Sequence, residues 1–168
     1  RRLGFFPGST IGNFTPTEAG SFMALIRRVL GPGGALLIGV DLKKDPARLN
    51  AAYNDAAGYT AGFNLNLLHR MKRELRAELD TDSFEHVAFY NEAEGRVEMH
   101  LRSLRDQEIV IGDDRFPLDA GELIHSENSH KYTIDEFTAL ARDAGFESGA
   151  VWTDPDRLFS IHYLTVPD

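Results

Sequence analysis

The chain has 168 residues, 42% hydrophobic and 26% charged, with 18 basic against 26 acidic side chains and a net charge of -8. That is the composition of one globular domain with enough apolar material for a core, and it excludes a disordered chain, a fibre or a polybasic nucleic-acid binder. The absence of cysteine excludes disulfides, thiolate metal sites and cysteine nucleophiles.

No apolar run approaches the length of a membrane span and the first thirty residues lack a secretory pattern, so a cytoplasmic protein without membrane or nucleic-acid partners is expected. The first apolar run starts almost at Arg1, which suggests that an upstream part is missing. Leu3 to Phe6 reads as a short buried strand stopped by Pro7-Gly8. A helix follows, capped by Thr15 or Thr17, with Phe22, Leu25, Ile26, Val29 and Leu30 spaced for one buried face and Gly31-Pro32-Gly33-Gly34 ending it. Ala35 to Val40 is a second strand with the continuous apolar pattern of burial on both faces, and a parallel crossover is the default.

Two helical pieces, Pro46 to Ala57 and Thr60 to Leu79, break near Gly58, and Phe63, Leu67, Leu68, Met71 and Leu75 give the second an apolar stripe. Alternating segments at His86 to Asn91, Val97 to Arg102, Glu108 to Ile111 and Leu123 to Lys131 predict antiparallel strands with one wet face. A last helix, Ile134 to Ala144, carries a capping box of Thr133 and Glu136 and stops at Gly145. Strands near Phe146 to Thr153 and Phe159 to Val166 close the chain. The expected fold class is therefore α/β, a sheet interrupted by an antiparallel β-rich insert. No G-x-G-x-x-G or G-x-x-x-x-G-K segment is present, so either no nucleotide binds or the half that would hold it is missing.

Three segments could carry chemistry. Phe6 to Phe14 joins the carboxyl end of a strand to a helix, the place where open α/β sheets bind ligands; its glycines permit close approach, and Ser9, Thr10 and Asn13 offer polar groups. An ordinary strand-to-helix cap uses the same residues. On the strand around Ile124 to Tyr132, Glu127 and Ser129 share a face, so a carboxylate and a hydroxyl can hold the two nitrogens of one heterocycle. A solvated edge strand fits that pattern too. Tyr53-Asn54-Asp55, just before the helix break, lines a pocket or merely caps the next helix, and Met99 reads more readily as core. His125 and His130 match no metal-ligand spacing, so no metal is expected, and without a G-x-S-x-G elbow serine hydrolysis is a weak reading.

Taken together, FPGSTIGNF at Phe6 to Phe14, GVDLKKD at Gly39 to Asp45, YNDAAGYTAGFNLNLL at Tyr53 to Leu68, VEMHL at Val97 to Leu101, IHSENSHKY at Ile124 to Tyr132 and LFSIHYL at Leu158 to Leu164 resemble the carboxyl-terminal half of the histidine-specific, S-adenosylmethionine-dependent N-α-methyltransferases of ergothioneine biosynthesis. LGPGGALL at Leu30 to Leu37 resembles the helix-to-strand turn of Rossmann-like methyltransferases generally. The resemblance implies the carboxyl-terminal part of a Rossmann-like (class I) sheet over residues 1–45, a substrate-binding insert over 46–132, and a final helix and strands returning to the core over 133–168.

It further implies that Asn13 and Tyr53 hold the α-carboxylate of L-histidine, that Glu127 and Ser129 hold its imidazole, that Met99 is a pocket wall, and that Gly8 lies near the cofactor, S-adenosylmethionine. No general base is identified. The family's glycine loop, its acidic residue after the second strand and a further substrate-contacting tyrosine have no counterpart here, so the chain by itself is expected to be inactive. The alternatives are a methyltransferase for another amino acid or amine, or a non-catalytic small-ligand domain that self-associates through an exposed sheet edge.

Overall fold

The computed structural model describes residues 1–168. The chain forms two compact units, one of Arg1–Asp45, Asn91–Arg96 and Asn128–Asp168, the other of Pro46–Tyr90 and Val97–Glu127. No helix is long and apolar enough to cross a membrane.

The first unit is built on a four-stranded sheet ordered β1-β2-β9-β8, from β1 (Leu3–Phe6), β2 (Ala35–Asp41), β8 (Glu147–Thr153) and β9 (Phe159–Thr165). β1 and β2 run parallel, joined through helix α1 (Pro16–Leu30), while β9 pairs antiparallel with both β2 and β8. α1 starts on Thr15, whose hydroxyl accepts from the Glu18 N–H while the Glu18 carboxylate accepts from the Thr15 N–H. Helix α4 (Ile134–Asp143) opens on the same device with Thr133 and Glu136. The core gathers Ile11, Met23, Leu36, Ile38, Val40, Phe137 and Leu164 between these helices and the sheet.

Two expectations fail here for one reason, which is that periodicity identifies a face without saying what lies against it. β1 is an outer strand paired only with β2, so Leu3 and Phe5 are 65% and 68% exposed instead of buried, while Phe6 packs on the core. On α1 the buried line runs through Ala19, Met23 and Leu30, whereas Leu25 and Val29 of the expected stripe face outward.

His162 of β9 is fully buried against the Phe137 ring, and burial pushes its imidazole down to about 4. Between pH 6.5 and 4 the unfolded chain therefore takes up a proton that the folded chain refuses. The stability this group contributes is full above about pH 6.5 and is lost as pH falls toward 4. Acidifying from pH 7 to 5 should cost roughly 2 kcal/mol through this residue, and His162→Gln should flatten that slope in urea unfolding. An unchanged slope would contradict the assignment.

The second unit contains α2 (Pro46–Tyr53), α3 (Tyr59–Leu75), most of a three-stranded sheet ordered β3-β4-β7 from β3 (Phe84–Asn91), β4 (Arg96–Ser103) and β7 (Leu123–His130), and a hairpin of β5 (Gln107–Ile111) and β6 (Asp114–Leu118). Both helices end about four residues before their predicted limits. Tyr53 closes α2 ahead of the Asp55–Gly58 turn, and Arg76, in the left-handed region at φ 54°, closes α3. β6 has no counterpart among the segments expected from the sequence. Its signal is the two-residue Gly112-Asp113 turn, with Gly112 at φ 61°, which the charged and proline-containing strand behind it obscures.

Leu68, Phe84, Leu101, Ile109 and Leu118 form this unit's core. Leu67 and Met71 lean on it, but Phe63 and Leu75 of the predicted stripe are 63% and 54% exposed. Gly62 lies inside α3 with open space where a Cβ would be. Gly62→Ala should therefore raise stability by about 0.5–1 kcal/mol, read as a higher Tm.

Candidate functional site

In the first unit the candidate residues gather at the carboxyl ends of β1 and β2. The segment after β1 makes one 3-10 turn over Thr10–Asn13, entered through Ser9 at φ 55°. That conformation is uncommon for serine, and it is held by the Asp41 N–H, which donates to Ser9 Oγ at 2.8 Å. Ser9 is thus tied to the end of β2 and is not a loose ligand group. Gly12 is buried with the His130 carbonyl only 2.7 Å from where its Cβ would sit, and Asn13, next in the chain, is exposed. Gly8 is also exposed, and a Cβ there would meet nothing nearer than Thr10 Oγ1 at 3.7 Å, so the backbone is approachable.

Beside this loop lies a buried charge cluster that the sequence reading did not single out. Lys131, with its side chain 1% exposed, pairs with Asp41 Oδ2 at 2.7 Å and donates to Ser129 Oγ at 2.8 Å. Lys44 holds the other oxygen of Asp41 at 2.5 Å. Lys131 follows Ser129 by two residues, just past the end of β7, and that spacing is the signal that would have joined it to the pair.

In the second unit Tyr53 is half-buried at the end of α2, and its carbonyl is 2.9 Å from His86 Nε2. Asp55 accepts from the N–H groups of Tyr59 and Thr60 at the start of α3, contacts that hold its carboxyl below the usual range. It is a cap, the plainer of the two readings. Asn64, fully buried on α3, ties the unit together: Nδ2 lies 3.0 Å from both His86 Nδ1 and the His100 carbonyl, and Oδ1 accepts from Ser126 Oγ at 2.6 Å. No sequence motif flagged it. Met99 is 3% exposed on β4, with Glu98 and His100 alternating to the opposite face. Glu127 is half-buried on β7, two residues before Ser129.

Glu98, His100 and His125 bring three ligand-type atoms within 4.8 Å of one another. Their arrangement is a stack: the His100 ring lies against Phe89 at 5.3 Å and 3°, and against His125 at 4.5 Å and 25°. The lone pairs of stacked imidazoles lie in their ring planes and run side by side without converging, which suits packing better than coordination. Burial holds His100 below its usual pKa, with His125 acting in the same direction and Glu98 opposing.

A sequence model of the family described as histidine-specific methyltransferase, SAM-dependent, matches residues 1–166. The chain is 45% identical over 163 residues to a protein of Mycolicibacterium smegmatis named histidine N-alpha-methyltransferase, covering 96% of this chain and 51% of that protein. It is 35% identical over 166 residues to ergothioneine biosynthesis protein 1 of Neurospora crassa, covering 94% and 18% respectively. The chain thus spans about half the length of the bacterial relative it matches. In fold it is similar to a solved S-adenosylmethionine-dependent methyltransferase from Clostridium acetobutylicum, with a TM-score of 0.51, 8% identity, and coverage of 100% of this chain and 60% of the other. With its family pattern running from end to end and a mixed α/β fold like that of a solved methyltransferase, the chain belongs to the SAM-dependent, histidine-specific methyltransferase family.

Proposed function

We propose that the protein carrying these residues transfers methyl groups from S-adenosylmethionine to the α-amino nitrogen of L-histidine, toward trimethylhistidine. The observation that carries this reading is the end-to-end family match together with a carboxylate and a hydroxyl, Glu127 and Ser129, spaced to one face of β7. Residues 1–45 and 133–168 are read as the carboxyl-terminal part of a Rossmann-like sheet, supported by the single parallel crossover β1-α1-β2. Residues 46–132 are read as a substrate-binding insert.

S-adenosylmethionine supplies an electrophilic methyl on a sulfonium. The open backbone at Gly8 fits the approach of such a ligand from one side, although these 168 residues contain no glycine-rich loop for its adenosine half. The chain's own part is positioning, because in-line transfer to an amine needs an aligned, uncharged nitrogen and little covalent help. Asn13 and Tyr53 take the α-carboxylate, and Met99 walls the side chain. Glu127 accepts from an imidazole N–H, a contact that favours histidine because apolar side chains cannot supply it. The amine proton leaves to water.

The test is methyl transfer from S-adenosylmethionine to L-histidine, followed by mass spectrometry with the other proteinogenic amino acids as competitors. Methylated histidine alone is expected. Preferential methylation of another amino acid would overturn the substrate.

A further inference from the structure

The paired run of β1 and β2 ends at Phe6 and Ile38. Three residues further along β2 the Asp41 N–H donates to Ser9 Oγ at 2.8 Å, so a side chain takes over the hydrogen bonding that the β1 backbone has left. Ser9 stands there at φ 55°, a conformation that costs a non-glycine residue energy and persists only where its surroundings hold it. The point to which it is tied is itself held, because the Asp41 carboxylate lies between Lys131 at 2.7 Å and Lys44 at 2.5 Å.

From Ser9 the chain passes at once into the 3-10 turn of Thr10–Asn13. Ile11 is fully buried in the core, and Gly12 packs so closely on the His130 carbonyl that a Cβ there would lie 2.7 Å from its oxygen. Phe14 stacks on Phe22 at 5.2 Å. Asn13 is the exposed residue between these packed neighbours, so its direction follows from the turn that Ser9 opens. We propose that Ser9 is a positioning residue for carboxylate recognition: by accepting the Asp41 N–H it holds the left-handed turn that sets where Asn13 presents its amide. This rests on the reading above in which Asn13 takes the α-carboxylate, and deepens it.

A hydrogen bond weakens steeply once its length or angle leaves the favourable range, so an amide displaced by about 1 Å loses most of its contact with a carboxylate. Without the Ser9 hydroxyl the Asp41 N–H loses its acceptor and nothing opposes the strain at residue 9. The backbone there then relaxes toward negative φ and carries Asn13 with it. A ligand that has no carboxylate does not feel that change.

The experiment measures dissociation constants in the natural full-length protein, with S-adenosylhomocysteine present, for L-histidine and for histamine, which keeps the imidazole and the amine and lacks the carboxylate. The parent should favour histidine by roughly thirtyfold. Ser9→Ala should lower that ratio about tenfold, with histamine binding little changed. In an Asn13→Ala background the same substitution should lower it no further, because Ser9 acts through Asn13. Ser9→Gly removes the same hydroxyl but adopts the left-handed turn without strain, and should lower the ratio about threefold.

A Ser9→Ala protein that keeps the parent ratio overturns the role of Ser9. So does an equal loss of affinity for both ligands, the mark of a merely structural residue, and so does a fall in the ratio that persists in the Asn13→Ala background. Where Ser9→Ala does not fold, Ser9→Gly decides by the same outcomes. A parent without preference for histidine, or one whose preference survives Asn13→Ala, overturns the carboxylate reading of Asn13 and this inference with it.

Discussion

Gly39→Ala is expected to destabilise the chain by about 3 kcal/mol or more and to leave little folded protein at 37 °C. A Cβ at this position on β2 would sit 2.1 Å from the Pro7 carbonyl oxygen and 2.7 Å from the Phe159 ring. The first of these atoms is backbone, so no side-chain rotation relieves the clash. β2 must then move from β9, to which Gly39 is registered through Ile161, or the segment after β1 must lift. Either motion also pulls Asp41 away from Ser9 and Lys131. Gly62→Ala is the matched comparison, because it adds the same methyl where nothing lies within 4 Å. A Gly39→Ala protein melting within a few degrees of the parent would contradict this packing.

Glu127→Ala in the natural full-length protein is expected to lower kcat/KM for histidine by about two orders of magnitude, since a hydrogen bond to a charged group is worth roughly 1.5–3 kcal/mol. The loss should fall mainly on KM. On the proposed reading Glu127 takes the ring and not the reacting amine, so its contact would be nearly the same in the ground and transition states. Amino acids without an N–H at that place should be less disfavoured by the variant than by the parent. A variant with unchanged KM and reduced kcat would show that the carboxylate acts on the chemistry and not on recognition.

What could be read in the sequence depended on how local its cause was. The Thr133–Glu136 cap and the end of α4 before Gly145 follow from neighbouring residues, and the structure has them where the pattern places them; for α1 the pattern offers Thr15 or Thr17, and the structure uses Thr15 with Glu18. Which residues of α1 face the core was not local. Leu25 and Val29 fit the helical period as well as Ala19 and Met23, and only the neighbours of α1 decide between them. The same holds for β1, whose apolar residues carry no mark of being at an edge.

At the candidate site, the common face of Glu127 and Ser129 follows from a two-residue spacing. The link from Ser129 through Lys131 to Asp41 does not, because Asp41 lies about ninety positions earlier and only strand packing brings it near. Asn64 is a similar case, a polar residue at a helical core position whose partners His86, His100 and Ser126 come from three different strands.

Isothermal titration of L-histidine into the natural full-length protein, with and without S-adenosylhomocysteine, tests the central assignment most directly. Saturable one-to-one binding that Glu127→Ala weakens by about two orders of magnitude is the predicted result. A folded protein that binds S-adenosylhomocysteine but shows no heat with L-histidine would contradict it.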